Sequence, residues 1–199
     1  MIAVDVESSG TNASAHSILS IGALDLDEPT NQFYEECKVW DGAHIEEAAL
    51  TVNGFSREEA KDESKQSEAD LMRSFTAWAT DRPKTRTLVA HNVSFDFSFL
   101  QAAAKRGGED FPFPKRTIDI HSLVWLHMVR RGMEPPAGEH RSLINFDFAL
   151  RYCGIPEEPF PHNALTGALS HAEVFSRIAY NKKLLPDFSL FDIPWTPTV

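Results

Sequence analysis

Short runs of apolar and β-branched residues fill the first part of the chain and predict strands. The runs lie at residues 2–6, 18–26 and 32–40, and the first is almost wholly apolar, as in a buried central strand. The sequence Asp-Glu-Pro-Thr-Asn at residues 27–31 is a turn signal between the second and third runs. Three strands with short connections predict an antiparallel arrangement.

The apolar spacing becomes helical in residues 67–81, where apolar side chains recur at intervals of three and four. Residues 87–90 then predict a strand, residues 94–106 a helix that ends at a glycine pair, and residues 117–120 another strand. A strand, a helix and a strand in this order form a crossover that joins two parallel strands. Further helices are predicted near residues 121–130, 142–153 and 164–180.

The composition is that of one soluble globular domain, because the chain has 199 residues, of which 42% are hydrophobic and 24% are charged. We expect a domain over residues 1–182 and an extended tail over residues 183–199 that packs on this domain, on a second copy in a homodimer or on another protein partner. The sequence has neither a signal-peptide pattern nor an apolar run of membrane-spanning length, so we expect a cytoplasmic protein without membrane contact.

The net charge of −10 argues against a broad basic surface for nucleic acid. The charge is uneven, since residues 1–81 carry a net charge of −12 and residues 82–199 a net charge of +2. The basic side chains of residues 105–141 fit two interpretations equally well, a short track for phosphates or a solvated helix face and loop.

Two carboxylates, those of Asp5 and Glu7, follow the apolar part of the first predicted strand. One residue separates them, so both side chains leave the same face of the sheet. Carboxylates so placed repel each other unless a cation lies between them, and oxygen ligands of this kind suit Mg²⁺ or Mn²⁺. The pair alone is a weak signal for a metal site.

Two further polar residues lie at the starts of predicted helices. Asp96 falls in the first turn of the helix at residues 94–106, where the helix dipole favours an acid for purely structural reasons. His162 precedes the helix at residues 164–180, where a histidine is commonly a surface or capping residue. Each residue by itself is explained without any function.

Taken in order, three motifs resemble the DEDDh family of 3′-5′ exonucleases, the DnaQ-like group that includes polymerase proofreading exonucleases and RNase T. The motifs are Asp-x-Glu at residues 5–7, His-Asn-x-x-Phe-Asp-x-x-Phe-Leu at 91–100 and His-x-Ala-Leu at 162–165. Residues 49–55 and 142–155 also resemble segments between the motifs of that family. The resemblance implies an α/β RNase H-like fold, with a mixed five-stranded sheet of three antiparallel strands then two parallel ones, flanked by helices.

The resemblance also implies a site with two Mg²⁺ or Mn²⁺ ions. Asp5 would bridge both ions, Glu7 would hold the ion that activates water, and Asp96 would hold the ion that assists the leaving oxygen. His162 would be the general base, in keeping with a side chain type that exchanges protons near neutral pH.

Five further residues would border the terminal nucleotide of the substrate. They are the small loop Ser8, Ser9 and Gly10 after the first strand, together with Asn92 and Phe95 of the second motif. The aromatic ring of Phe95 would stack or wedge against the terminal base.

The chain departs from the family pattern at one position, because the fourth acid expected five residues after His162 is replaced by Gly167. Glycine costs about 1 kcal/mol relative to alanine inside a helix, so helix stability does not explain it. No carboxylate lies within three residues of this position, and Glu173 would point away from the site. His171, one helical turn after Gly167, is a weak candidate for a replacement ligand.

These observations favour a metal-dependent 3′-5′ exonuclease that removes terminal nucleotides from the 3′ ends of single-stranded DNA or short RNA. Gly167 predicts that this activity is weakened, either by an inactivating substitution or through natural decay. The alternative is a catalytically inactive domain of nuclease fold that binds nucleic acid or a protein partner.

Overall fold

A five-stranded sheet with the strand order β3-β2-β1-β4-β5 lies at the centre of the molecule. The computed structural model describes residues 1–82 and 84–196. β1 pairs antiparallel with β2 and β2 antiparallel with β3, whereas β1 pairs parallel with β4 and β4 with β5. The predicted mixed sheet is therefore confirmed. The strands are β1 (Ile2–Ser8), β2 (Ile18–Asp25), β3 (Glu28–Glu36), β4 (Leu88–Ala90) and β5 (Ile118–Asp119).

Seven α-helices and a short 3₁₀ helix at Pro186–Phe188 surround the sheet in the part of the chain that is described. None of these helices, within residues 1–82 and 84–196, is long and apolar enough to cross a membrane. The α-helices are α1 (Glu47–Asn53), α2 (Arg57–Ala60), α3 (Glu68–Thr80), α4 (Ser94–Gly107), α5 (Ile120–Arg130), α6 (Phe146–Tyr152) and α7 (Ala164–Tyr180).

The helices form a layer on each face of the sheet, and the side-chain alternation of β1 decides which residues meet which layer. Ile2, Val4 and Val6 pack into the core formed with α3 and α4. Ala3 packs on the opposite face, in a core that includes Ala172 of α7. Because side chains alternate along a strand, Asp5 and Glu7 share the α7 face with Ala3.

Two predicted elements differ from the structure by four residues at a boundary. The strand predicted at residues 32–40 is β3 (Glu28–Glu36), so it begins earlier, includes Pro29 and ends before residues 37–40. Proline, which has no backbone N–H to donate, is tolerated there because β3 is an edge strand of the sheet. The helix predicted at residues 142–153 begins only at Phe146, where the Asn145 side chain accepts a hydrogen bond from the Phe148 amide and caps it.

A buried ion pair in α7 holds the C-terminal tail. Arg177 donates to Glu173 at 2.7 Å and both side chains are fully buried. Its guanidinium also donates to the backbone carbonyls of Phe188 and Asp192 in the tail. Glu173 in turn accepts from the amides of Leu184 and Leu185. The end of the predicted tail, residues 197–199, lies outside the described residues.

Candidate active site

β1 and the start of α7 meet because β2 carries a glycine between them. Gly22 pairs with Asp5 in the sheet register. A Cβ atom at Gly22 would lie 2.0 Å from the Ala164 carbonyl oxygen, so only glycine allows the helix to approach this closely. The contact places the first turn of α7 directly beside Asp5.

The α7 face of β1 borders a cavity of about 280 Å³. It brings together Asp5, Glu7 and His162, which the sequence predicted, and two acids that the sequence analysis did not identify, Asp147 and Glu158. The remaining lining residues are Val6, His91, Asn145, Phe146 and His171.

Asp96 lies behind β1 in the first turn of α4 and is buried. Its Oδ1 accepts a hydrogen bond of 3.1 Å from the amide of Val6, the residue between Asp5 and Glu7. This bond fixes the position of the Asp96 carboxylate. The negative charge of Asp96 acts on Asp5, and that of Glu7 acts on Asp96. The structure thus brings the three predicted carboxylates to one place.

Burial and mutual repulsion raise the pKa of four carboxyl groups at this place. Burial raises the pKa of Glu7 to about 8, with a further contribution from the charge of Glu158. Burial likewise raises the pKa of Asp96 to about 8 and that of Asp5 well above its usual value, and the charge of Asp96 adds to the rise at Asp5. Burial also raises the pKa of Glu158, although His162 and the Asn163 amide oppose this. A cation at this place would favour the ionised forms.

One carboxylate oxygen in the cluster is buried without a partner, and a second carboxylate makes no hydrogen bond among the described residues. The Glu7 side chain is only 9% exposed, and it makes no hydrogen bond or ion pair within residues 1–82 and 84–196. Glu158 Oε1 is buried without a hydrogen-bond partner. Buried polar oxygens without partners are rare in proteins and commonly mark the place of an ion or water.

The chemistry of these residues fits a hard divalent cation. Carboxylate oxygens are the ligands that Mg²⁺ and Mn²⁺ prefer, and Asp5, Glu7 and Asp96 would hold such ions. Among the described residues, no three acidic, histidine or cysteine side chains are already arranged around a single point as metal ligands. Binding therefore requires side-chain adjustment within the cluster.

His162 enters the cavity from the loop before α7. Its backbone amide donates to the Val52 carbonyl at 2.9 Å, which fastens the loop to α1. The next residue, Asn163, caps α7 by accepting from the Leu165 and Thr166 amides. The backbone of the predicted general base is thus held by its own amide and by the cap at the next residue.

His171 and His91 also line the cavity, and burial keeps both of them neutral. His171 Nδ1 lies 2.9 Å from the Val4 carbonyl, which can only accept, so Nδ1 carries the proton and Nε2 the lone pair. Burial lowers the pKa of His171 to about 3 and that of His91 to about 4. Neither ring supplies positive charge to offset the carboxylates at neutral pH.

Gly167 lies in the first turns of α7, against Asp5. A Cβ atom there would be 2.3 Å from Asp5 Oδ2 and 3.2 Å from Asp5 Cβ. The Asp5 carboxylate therefore occupies the space that a side chain at position 167 would need, which gives a steric reason for glycine inside this helix.

The structure separates the five residues predicted to border the nucleotide. Ser8, Ser9 and Gly10 are buried, and their loop is held internally: the Ser8 hydroxyl donates to the Gly10 carbonyl at 2.7 Å, and the Ser9 hydroxyl donates to the His44 carbonyl. Their hydroxyls are thus turned into the protein, and other residues line the cavity.

Asn92 and Phe95 lie where a ligand can reach them. Asn92 has a left-handed backbone (φ 56°) and borders a second cavity of about 490 Å³. That cavity also includes Arg141, and it shares Asn145 with the carboxylate cavity. Phe95 is 36% exposed at the start of α4 and packs on Phe99 with 4.8 Å between ring centroids.

Comparison with known proteins identifies the family of this chain. Residues 1–179 match the family model described as "3′-5′ exoribonuclease Rv2179c-like domain". The chain is 31% identical over 198 residues to Ribonuclease T of Hahella chejuensis, covering 92% of this chain and 85% of that protein. It is 34% identical over 189 residues to the 3′-5′ DNA exonuclease Cap18 of Escherichia coli, covering 92% of this chain and 95% of that protein.

Solved structures show the same fold at lower sequence identity. The nuclease domain of 3′hExo, a DEDDh family member bound to rAMP, matches with a TM-score of 0.71 and 15% identity over 92% of this chain and 93% of that one. E. coli exonuclease I bound to a dA16 oligonucleotide matches with a TM-score of 0.65 and 17% identity over 88% of this chain, which spans only 40% of that longer protein. The predicted RNase H-like fold is confirmed, and the chain belongs to the 3′-5′ exoribonuclease Rv2179c-like domain family of 3′-5′ exonucleases.

Proposed function

We propose that this protein is a metal-dependent phosphodiester hydrolase that removes single nucleotides from the 3′ ends of single-stranded DNA or short RNA. The observation that carries the proposal is the cavity that joins Asp5 and Glu7 to His162, with the Glu7 carboxylate buried and unpaired among the described residues. Buried carboxylates with raised pKa values and a nearby histidine are typical of sites where protons and cations are handled.

Asp5, Glu7 and Asp96 would hold two Mg²⁺ or Mn²⁺ ions. When bound, such ions supply a nucleophile at neutral pH and stabilise charge on the phosphate oxygens. His162 accepts the proton of the attacking water on a ring nitrogen, and the contacts of its backbone amide and of Asn163 hold it at the cavity. The neutral rings of His91 and His171 form part of the wall and leave the base role to His162.

The two adjoining cavities support a single-stranded substrate. The carboxylate cavity has room for the scissile phosphate and one end of a strand, which duplex DNA could supply only after unpairing. The second cavity, with Asn92 and Arg141, would take the adjoining nucleotide, and Phe95 would stack against a base. The relatives include both a ribonuclease and a DNA exonuclease, so the proposal covers both polymers.

The direct test is digestion of 5′-labelled single-stranded DNA and RNA oligonucleotides in Mg²⁺ and in Mn²⁺. We expect products that shorten one nucleotide at a time from the 3′ end and that disappear in EDTA. Asp5→Asn should abolish shortening, whereas the matched control Asp27→Asn, at an exposed residue paired with the N-terminus, should behave as the wild type. Intact oligonucleotides in both metals would contradict the proposal.

Gly167 is the observation that favours a second candidate, a nuclease-fold domain that binds nucleic acid or a protein partner without cleaving. Binding and cleavage of the same oligonucleotide separate the two candidates. A wild-type protein that binds a single strand tightly in Ca²⁺ and never shortens it in Mg²⁺ or Mn²⁺ would support the second candidate.

A further inference from the structure

The carboxylate cavity contains two acids that belong to none of the three motifs. They are Asp147 and Glu158. Asp147 lies in the first turn of α6, where an acid is stabilised by the helix dipole and needs no other explanation. Glu158 lies in an irregular loop, and its Oε1 is buried without a hydrogen-bond partner. Secondary structure therefore does not account for Glu158.

The loop that carries Glu158 is held in place at its far end. A Cβ atom at Gly54, the residue that ends α1, would lie 2.7 Å from the Pro161 ring, so the loop packs closely on α1. The His162 amide then donates to the Val52 carbonyl. These contacts, three and four residues after Glu158, fix the part of the loop that leads to the cavity.

The charge of Glu158 acts on the two carboxylates of the first motif, Asp5 and Glu7. Asp5, Glu7 and Glu158 line the same cavity, and the charge of Glu158 destabilises the ionised forms of the other two. The Glu7 side chain is nine-tenths buried and unpaired within the described residues, and it shares the cavity with Glu158. A divalent cation is the ligand class that would satisfy such a set of oxygens.

We propose that Glu158 supplies the fourth carboxylate of the metal site, in the role that an acid at position 167 would otherwise fill. The inference rests on the proposed metal-dependent function. Position 167 has no side chain, and the Asp5 carboxylate occupies the adjoining space, so a fourth ligand has to come from another element. The ligand class is a hard divalent cation, Mg²⁺ or Mn²⁺. On this basis, Gly167 is compatible with an active enzyme.

The test measures Mn²⁺ binding to the full-length protein by isothermal titration calorimetry and by electron paramagnetic resonance. Glu158→Gln should lower Mn²⁺ affinity at least about tenfold, since even groups outside the ligand set change metal affinity by 10–100-fold. The matched control is Glu157→Gln, because Glu157 is exposed and pairs with Arg151, and it should bind Mn²⁺ as the wild type does. The rise in Tm on adding Mn²⁺ should shrink in parallel for Glu158→Gln alone.

The variant Glu158→Ala removes the carboxylate without leaving an amide oxygen that could still bind a metal. We expect it to bind Mn²⁺ at least about tenfold more weakly than the wild type, as Glu158→Gln does. Wild-type Mn²⁺ affinity in both variants would overturn the statement that Glu158 supplies the fourth carboxylate. If Glu158→Gln fails to fold, Glu158→Ala alone decides the inference in the same way.

The outcomes separate this inference from the proposed function. Wild-type protein that binds Mn²⁺ and shortens oligonucleotides, together with Glu158→Gln that binds Mn²⁺ equally well, would overturn the Glu158 assignment and leave the exonuclease intact. Wild-type protein that neither binds Mn²⁺ nor cleaves would overturn both.

Discussion

Asp5 is the residue around which the other carboxylates are arranged. It is the one group on which the charges of Asp96, Glu7 and Glu158 all act. Its Oδ2 lies 2.3 Å from the place of a Cβ atom at position 167. The Asp5 carboxylate fills the space beside position 167, where α7 has no side chain. On the proposal above, Glu158 in the loop before α7 supplies the acid instead.

Substitutions of His162 and of Asp5 should reduce cleavage for different reasons. We expect His162→Ala to lower kcat about 100-fold or more through loss of a general base, while Mn²⁺ affinity stays within twofold of the wild type. Asp5→Asn should lower both kcat and Mn²⁺ affinity. Single-turnover cleavage and Mn²⁺ titration on the same preparations check the distinction.

The exposed histidine His140 provides the control for this prediction, since His140→Ala should leave both quantities unchanged. Full cleavage by His162→Ala across the pH range would remove His162 from the mechanism.

The sequence predicted site residues where a motif coincides with regular structure. Asp5 and Glu7 alternate along β1, and Asp96 and His162 lie at the starts of α4 and α7, so spacing alone places them near one edge of the sheet. The sequence analysis did not identify Glu158, because it lies in a loop without periodicity, where no spacing indicates the direction of a side chain. Its signal was its position four residues before His162.

At the scale of elements, the approach of α7 to β2 sets the geometry of the cavity. Because Gly22 has no side chain, the Ala164 carbonyl can lie directly against β2. Gly22 pairs with Asp5 in the sheet. Moving α7 outward would therefore separate His162 from the carboxylates as well as opening the core.

We expect Gly22→Ala to destabilise the protein by about 1–3 kcal/mol, the usual cost of overpacking, because its Cβ would meet backbone atoms of α7 that cannot rotate away. Activity in the remaining folded protein should fall at least tenfold. Denaturant unfolding and oligonucleotide digestion below the transition measure the two effects.

Gly138→Ala is the matched control, because the nearest atom to its Cβ would be the end of the Leu143 side chain, at 3.3 Å, and the Arg141 carbonyl oxygen would lie at an ordinary contact distance of 3.6 Å. Wild-type stability in Gly22→Ala would show that α7 can shift without cost.

The sequence predicted the elements better than their boundaries. The apolar runs gave the three antiparallel strands and the crossover, because burial on the two faces imposes a period on the sequence. α1 and α2 went unpredicted since they are only seven and four residues long and carry many charges. Helices of this length are set by tertiary contacts and capping rather than by an apolar stripe.

For the whole molecule, the carboxylate cluster and the buried histidines act on stability in different pH ranges. Glu7 and Asp96 have folded-state pKa values near 8, above their unfolded values of 4.5 and 3.8. They contribute stability at low pH that is lost as pH rises through about 8. His91 and His171 have depressed pKa values, so their contribution is complete above pH 6.5 and is lost in acid.

In EDTA, the Tm should therefore fall by roughly 6–12 °C between pH 6.5 and 8, where these two carboxyl groups lose their protons. Mg²⁺ or Mn²⁺ should remove most of this fall, because a cation stabilises the ionised forms. Calorimetric melts at three pH values measure it. Glu7→Gln should flatten the dependence, and a Tm independent of pH in EDTA would contradict the placement of these groups.

The charge distribution predicts a weak dependence of substrate binding on salt. Of the basic residues in 105–141, Arg106 is already paired with Glu68, which leaves fewer cations for phosphates. The slope of log K against log salt for single strands in Ca²⁺ should be about −2 to −3, at roughly 0.7 per phosphate contact. A slope near −8 would require a larger basic surface.

The Arg177–Glu173 pair also determines how far the chain can be shortened at its C-terminal end. The match to the family ends at residue 179, yet Arg177 donates to carbonyls at residues 188 and 192, and Glu173 accepts from amides at residues 184 and 185. Ending the chain at residue 179 would leave the pair intact but would remove the tail carbonyls and amides that hydrogen-bond to it, and leaving a buried polar group unsatisfied costs about 1–3 kcal/mol. The boundary defined by homology therefore falls inside the unit that folds, and an expression fragment needs the tail through at least residue 192.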